Sequence, residues 1–376
     1  MSKTICRPLI AGLLLAVVAT RGADTPPKFL GANSCADSSC HGGGGQNQNQ
    51  FLVWSLKDFH SQRPAATLTT ARAKQIADAL QIKDATADAR CTTCHAPLHD
   101  VPENLRGEDF KVSEGVSCES CHGPAENWIR SHTRTDYTHA DRTATGMRDL
   151  QNLYVRANTC VACHQNVDAD ILKAGHPELI FELDGQSVAE PKHWSADKNG
   201  NGAQAWLVGQ AVALREMSWQ LAKETSPTEN QENRWLALVW VLKQIDGADA
   251  SLPADVRDSM GTHASNQKWA DQLAHAAANI EWTSALSRKC LNQLLDKNHL
   301  GFGGDTDFSN EYQARRAERL VLALDRLVAA LPELKNNEPV QASLNQLFKL
   351  AQSIPDFDPK QFADALEKFS AAVNAR

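Results

Sequence analysis

The sequence predicts a mainly α protein built from two unlike parts. Three observations carry that expectation. Strand-like alternation of apolar and polar residues is nearly absent. Cysteine–histidine motifs crowd the first half, which is rich in Gly, Asp, Ser and Pro. From residue 203 to 376 no such motif occurs, and apolar residues recur at helical spacing instead. The expected divisions are 1–23, 24–195 and 203–376.

With 376 residues, 42% hydrophobic and 22% charged, the chain can bury the core of one large or two medium domains. Residues 1–23 read as a signal peptide. Lys3 and Arg7 precede an apolar run, Leu9 to Ala19, that is too short to span a bilayer, and small residues follow it. Cleavage is expected between Ala19 and Ala23, with the periplasm as destination; the competing reading is an uncleaved amphipathic anchor. No other apolar run approaches about 18 residues, so no transmembrane span is expected in the mature chain. The leader holds three basic residues and no acidic ones, so its loss takes the formal charge from −7 to −10. An acidic surface argues against nucleic acid as a partner and fits either a basic docking partner or plain solubility.

Within residues 24–195 three segments share one form: Cys91-Thr-Thr-Cys94-His95, Cys118-Glu-Ser-Cys121-His122 and Cys160-Val-Ala-Cys163-His164. This is the attachment signature of c-type haem. Two thiols add to the vinyl groups on one porphyrin edge, and the following histidine gives a ring nitrogen to iron. Cys35-Ala-Asp-Ser-Ser-Cys40-His41 is a fourth candidate with a wider gap, for which a Cys35–Cys40 disulfide is the rival. Four haems c are therefore expected, three from the regular motifs and one from the widened one. Zinc knuckles use Cys-x-x-Cys pairs but do not need a histidine after every second cysteine. A thioredoxin-like site has one copy on a βαβ pattern, which is lacking here. Cys290 is left over, in an apolar stretch, and reads as a buried thiol with no role.

Each motif supplies one axial histidine: His41, His95, His122 and His164. Other histidines concentrate in the same half. His60, His132 and His176 rank first as ligands for the opposite face of the iron. His139 and His99 compete for the fourth place, His139 being preferred, and His193 follows. Only Met147 lies near the motifs, so mostly bis-His ligation and low potentials are expected. A shortage of distal histidines would leave one iron five-coordinate. Short helical pieces are expected at Phe51 to Phe59 and Ala71 to Ala89, and a flexible loop from Gly42 to Gln50. With so little chain around each motif, the macrocycles themselves should form much of the core.

Beyond residue 203 the stripes Trp235, Leu238, Leu242, Ile245, then Leu320, Leu324, Leu327, Leu331, and Phe362, Leu366, Phe369, Val373 each fall on one helical face. Loops at Gly247 to Pro253 and Gly301 to Asp307 separate them. The expectation is a bundle of five or six helices whose stripes are packed core. A docking or dimerisation surface is the functional alternative.

The first half resembles the multihaem cytochromes c grouped around the tetrahaem electron acceptor of hydroxylamine oxidoreductase in nitrifying bacteria. The matching residues are Gly31-Ala-Asn-Ser-Cys35 running into Cys40-His41-Gly42, then Gly115-Val-Ser-Cys118-Glu-Ser-Cys121-His122-Gly-Pro, then Cys160-Val-Ala-Cys163-His164, and Gly175-His176-Pro. The likeness covers roughly residues 30–190. It implies a mainly α, loop-rich tetrahaem cytochrome c module with closely stacked, mostly bis-His haems, an electron-transfer role and His176 as a distal ligand. The widened first motif and the long helical tail depart from the pattern.

Two functions follow. The first is an exported tetrahaem carrier moving electrons between redox partner proteins, a donor and an acceptor. The second is an oxidoreductase acting on a small nitrogen or sulfur compound at a five-coordinate haem, with His99, His139 or Arg134 as proton donor. The helical half as a docking module for a membrane or protein partner is a third. Whether the chain is an enzyme is left open, with the carrier favoured. The sequence is silent on oligomeric state.

Overall fold

The computed structural model describes residues 25–375 apart from 46–47, 62, 195–200, 256–259, 299–300 and 303–307. The expected leader, parts of the Gly42–Gln50 and Gly301–Asp307 loops and His299 lie outside the described residues. The described chain is mainly helical, 59% helix, and has no strand, only isolated bridges between Phe29 and Arg106 and between Ser61 and Gly115.

The first half contributes nine short helices: α1 (Gln50–Lys57), α2 (Arg63–Thr67), α3 (Ala71–Ala79), α4 (Ala89–His95), α5 (Cys118–His122), α6 (His139–Ala144), α7 (Leu153–His164), α8 (Ala169–Lys173) and α9 (Leu183–Ala189). The stretch 71–89 is not one helix. Thr70 caps α3 by accepting from the Ala73 amide, but Gln81 takes a left-handed φ of 56° and ends it. Asp84 then organises a turn by accepting from the Thr86 amide and hydroxyl. Similarly α1 stops at Lys57 because Asp58 takes an extended conformation.

Seven helices follow: α10 (Gly202–Leu221), α11 (Glu229–Gln244), α12 (His263–Asn279), α13 (Ser284–Asn298), α14 (Asn310–Ala329), α15 (Glu338–Ala351) and α16 (Pro359–Asn374). The bundle thus exceeds the five or six expected. Capping side chains start them: Asn201, Thr228, Thr262, Ser309, Asn337 and Asp358 each accept from a first-turn amide. The three apolar stripes are all buried in one core. A fully buried leucine such as Leu324 contributes roughly 1.5–3 kcal/mol over an exposed one.

Helix α10 is central. Fourteen of its twenty residues are buried, so it has no polar face, and it packs against α11, α12 and α14. It also packs against α7 and α9 of the first half. At Gly209 an added Cβ would lie 2.8 Å from the Leu183 Cβ, so the helix approach there needs glycine. Ala157 and Val161 of α7, with Phe181 and Leu183, enter the same core as the bundle.

Polar contacts fasten the same joint. Arg215 donates to the Tyr154 hydroxyl (3.0 Å) and to Asp271 (2.9 Å), and also bonds Asn158. Tyr154 in turn donates to Asp271 (2.8 Å) and stacks on His275 at 3.6 Å. The last cysteine–histidine helix is thereby held by the bundle. By contrast, among the described residues the rest of the first half forms one small buried apolar cluster, Ala77, Ile82 and Ala85.

Candidate functional site

The three regular motifs each end a helix. In α4, α5 and α7 the two cysteines lie three residues apart on one turn, and the histidine is the last helical residue. Cys35 ends a short 3-10 turn, Ala32–Cys35, and Cys40 and His41 follow in a loop. All eight motif cysteines are at least partly open to solvent, whereas Cys290 is buried and pushed up to about 12 by burial.

Thiols from different motifs meet. Cys35 lies beside Cys118, and Cys94 beside Cys163, close enough for each thiol to perturb the other. Cys121 and Cys160 are also electrostatic neighbours. The attachment points are therefore chained as first to third, third to fourth and fourth to second.

Three motif histidines face histidines remote in sequence. The rings of His41 and His132 are 6.0 Å apart and nearly parallel, at 18°. Those of His164 and His60 are 6.0 Å apart, and those of His95 and His176 are 6.4 Å apart. With metal–imidazole bonds of about 2 Å, two imidazoles on opposite sides of one metal have ring centres about 6 Å apart. The gap in each pair therefore admits one iron.

His122 has no such ring partner among the described residues. Burial, then the nearby His193, His41, Arg148 and His132, push it down to about 4. His139 lies elsewhere: it is half exposed and its Nε2 sits 3.1 Å from Asp149. His99 faces Asp100 at 2.9 Å. His193, ranked below both from sequence, is the histidine beside His122.

The histidine rings are anchored through Nδ1. His41 bonds Gln50 Oε1 (2.9 Å) and His95 the Pro64 carbonyl (2.9 Å). His132 faces the Trp128 carbonyl (3.1 Å), His176 the Pro177 carbonyl (2.8 Å) and His193 the Pro191 carbonyl (3.2 Å). His60 faces the Asp58 carboxylate at 3.1 Å. Such contacts fix ring orientation and leave Nε2 available to a metal. Burial holds His95, His132 and His164 below the usual imidazole range, favouring the neutral ligand form. His60 is raised, chiefly by its bond to Asp58.

Asp58, Glu190 and His193 gather with their ligand atoms within 4.8 Å of one another. Glu190 is in hydrogen-bond contact with Asp58; burial, then the Asp58 charge, push its carboxyl up. Neither acid was picked out from sequence. The available signal was an acid two or three residues before a histidine, in Asp58-Phe-His60 and Glu190-Pro-Lys-His193.

Glu119, within the third motif, is a further residue the sequence did not single out. Its carboxylate is buried and accepts from the amides of Leu30 (2.9 Å), Gly31 (2.7 Å) and Ala125 (2.7 Å). It pins the segment leading to Cys35 against α5. Gly31 has φ +93°, and a Cβ there would fall 2.3 Å from the Asp109 carbonyl.

The donor set fits c-type haem. Paired thiols, imidazoles facing one another in pairs and apolar side chains at the protein surface are what covalent attachment and a hydrophobic macrocycle require. Phe59 beside His60 and Val188 near His193 in sequence are each 69% exposed. Trp128 Nε1 and Arg142 Nε, on residues next to His132, are buried without a hydrogen-bond partner. A carboxylate-bearing group would satisfy them.

Residues 34–123 match the family model described as "Cytochrome c554 and c-prime". That stretch holds the motifs at Cys35, Cys91 and Cys118, so the first half is similar to multihaem cytochromes c there. Cytochrome c-554 of Nitrosomonas europaea is 29% identical over 174 residues, which is 45% of this chain and 71% of that relative. No solved structure matches. No helix among the described residues is long and apolar enough to cross a membrane.

Proposed function

We propose that this chain is an exported tetrahaem carrier that passes electrons between a donor and an acceptor protein. Haems would be attached at Cys35/Cys40, Cys91/Cys94, Cys118/Cys121 and Cys160/Cys163. The observation that carries the reading is the set of three histidine pairs with ring centres 6.0–6.4 Å apart. It supports His41 with His132, His95 with His176, and His164 with His60 as axial pairs. For His122 we propose His193, in place of the His139 preferred from sequence, because among the imidazoles His193 acts on it most strongly and His139 faces Asp149.

Haem iron supplies a reversible one-electron couple when bound. The chain's own residues set where that couple sits. Six-coordinate ligation by histidine favours low potentials and denies the iron to small ligands. The nearness of Cys35 to Cys118, of Cys121 to Cys160 and of Cys163 to Cys94 supports an electron path from the first attachment site through the third and fourth to the second. The bundle's hold on α7 through Arg215, Tyr154 and Asp271 would keep the fourth site fixed relative to the others. The N-terminal leader supports export to the periplasm, where haem c is attached.

One observation favours a second reading. His122 has no ring partner at the spacing of the other three, so its iron would be five-coordinate if His193 does not reach it. A small nitrogen or sulfur compound could then bind there. Carbon monoxide added to the fully reduced protein separates the two. An unchanged spectrum supports the carrier. A shifted Soret band amounting to one haem in four, and lost on changing His122 alone, supports the open site.

A further inference from the structure

Among the proposed ligand histidines with an Nδ1 partner, five face neutral acceptors. His41 faces a side-chain amide, and His95, His132, His176 and His193 face backbone carbonyls. His60 alone faces a carboxylate at bonding distance, Asp58 Oδ1 at 3.1 Å. The nearest comparison, Glu190 to His193, is 3.9 Å and too long for a hydrogen bond.

Asp58 is built to hold this position. It is 5% exposed, and its amide reaches the Val53 and Trp54 carbonyls at the end of α1. The same oxygen that meets His60 Nδ1 also accepts the His60 amide at 2.9 Å, so one side chain fixes both the backbone and the ring. Helix α1 is itself tied beside the third motif by Trp54 Nε1 donating to the Val116 carbonyl at 3.0 Å, and Val116 donates to the His60 carbonyl. The carboxylate is therefore preorganised rather than a passing surface contact.

We propose that Asp58 is a positioning residue that makes the site of His164 and His60 the lowest in potential of the four. This rests on the distal assignment of His60 given above. An Nδ1–H bonded to a carboxylate is more strongly polarised than one bonded to an amide. Its ring gives more electron density through Nε2 and stabilises the ferric over the ferrous state. The other three sites lack that acceptor and lie higher.

Asp58→Asn keeps an oxygen acceptor of the same shape and removes the charge. In a redox titration of the purified holoprotein, one midpoint should rise by about 59 mV or more, a tenfold change in its ferric-to-ferrous ratio. The site of His122 and His193 should move less, since His193 also lies within 4.8 Å of Asp58 and Glu190, the other two should stay, and all haems should remain low-spin by EPR. The shift should vanish when Asp58→Asn is made in a His60→Met background. Four unmoved midpoints with unaltered low-spin signals overturn the proposal and leave the ligand assignment standing. If His60→Met itself leaves every haem signal unchanged, the assignment of His60 fails instead. The unaltered protein gives a second check should Asp58→Asn not fold. The last haem to be reduced should carry the EPR signal that His60→Met removes; finding that signal on an earlier haem overturns the proposal.

Discussion

Replacing Glu119 by alanine removes one carboxylate and leaves three backbone amides without their acceptor. Two of the bonds, from Gly31 and Ala125, are buried, and the third, from Leu30, is partly open to water. An unsatisfied buried donor costs about 1–3 kcal/mol, and bonds to a charged group lie at the upper end. The loss should be about 3–5 kcal/mol, since water can serve the Leu30 amide in part. Glu119→Gln keeps one acceptor oxygen and should lose about half as much. Guanidinium unfolding of the holoprotein followed by far-UV circular dichroism measures both. The damage should also be local, with faster amide exchange at Leu30 to Ala32, the segment that carries the chain to Cys35. A loss under about 1 kcal/mol for Glu119→Ala, or equal losses for both variants, would refute the reasoning.

Leu324→Ala in the bundle core should cost about 2–5 kcal/mol in thermal unfolding, because Leu324 is fully buried. Tyr154→Phe removes the hydroxyl between Arg215 and Asp271 and should cost about 1–2 kcal/mol while leaving haem spectra unchanged. Burial works against the Asp271 carboxylate, but its bonds from Arg215 and Tyr154 outweigh it and hold the carboxyl below the usual range. Asp271's stabilising share is thus full above its unfolded value near 4 and is lost as pH falls through the depressed folded value, which a stability–pH series with and without Asp271→Asn should show. His139→Ala should leave the count of low-spin haems unchanged, whereas His193→Ala should turn one haem in four high-spin by EPR. Ending the chain after Trp194 removes α10 from Ala157, Val161, Phe181 and Leu183. The fragment should unfold at lower denaturant than the full chain even with its haems attached.

What was legible in the sequence was local. Cys-x-x-Cys-His is a one-turn pattern, so its three copies could be read directly, and the stripe Leu320, Leu324, Leu327, Leu331 fixes its own buried face. The central helix was harder. Residues 202–221 are apolar on nearly every side, so no periodic face marked α10 as the hub between the halves. Histidine pairing was only partly legible, because His60 and His164 meet through folding of the whole first half. Ranking by nearness in sequence favoured His139, which Asp149 engages, over His193. Glu119 belongs to the string that carries the resemblance, but only its contacts with Leu30 and Gly31 reveal why a buried acid stands there. Asp58 lies inside the helical piece expected from Phe51 to Phe59, and only the structure, which ends that helix at Lys57, sets its oxygen against His60 Nδ1.

The most direct test of the central claim is low-temperature EPR of the fully oxidised holoprotein, with haem quantified against protein. The account predicts four haems per chain, all low-spin, with no high-spin signal. Three haems would remove the site at Cys35, Cys40 and His41, and a high-spin signal integrating to one haem would contradict bis-histidine ligation throughout.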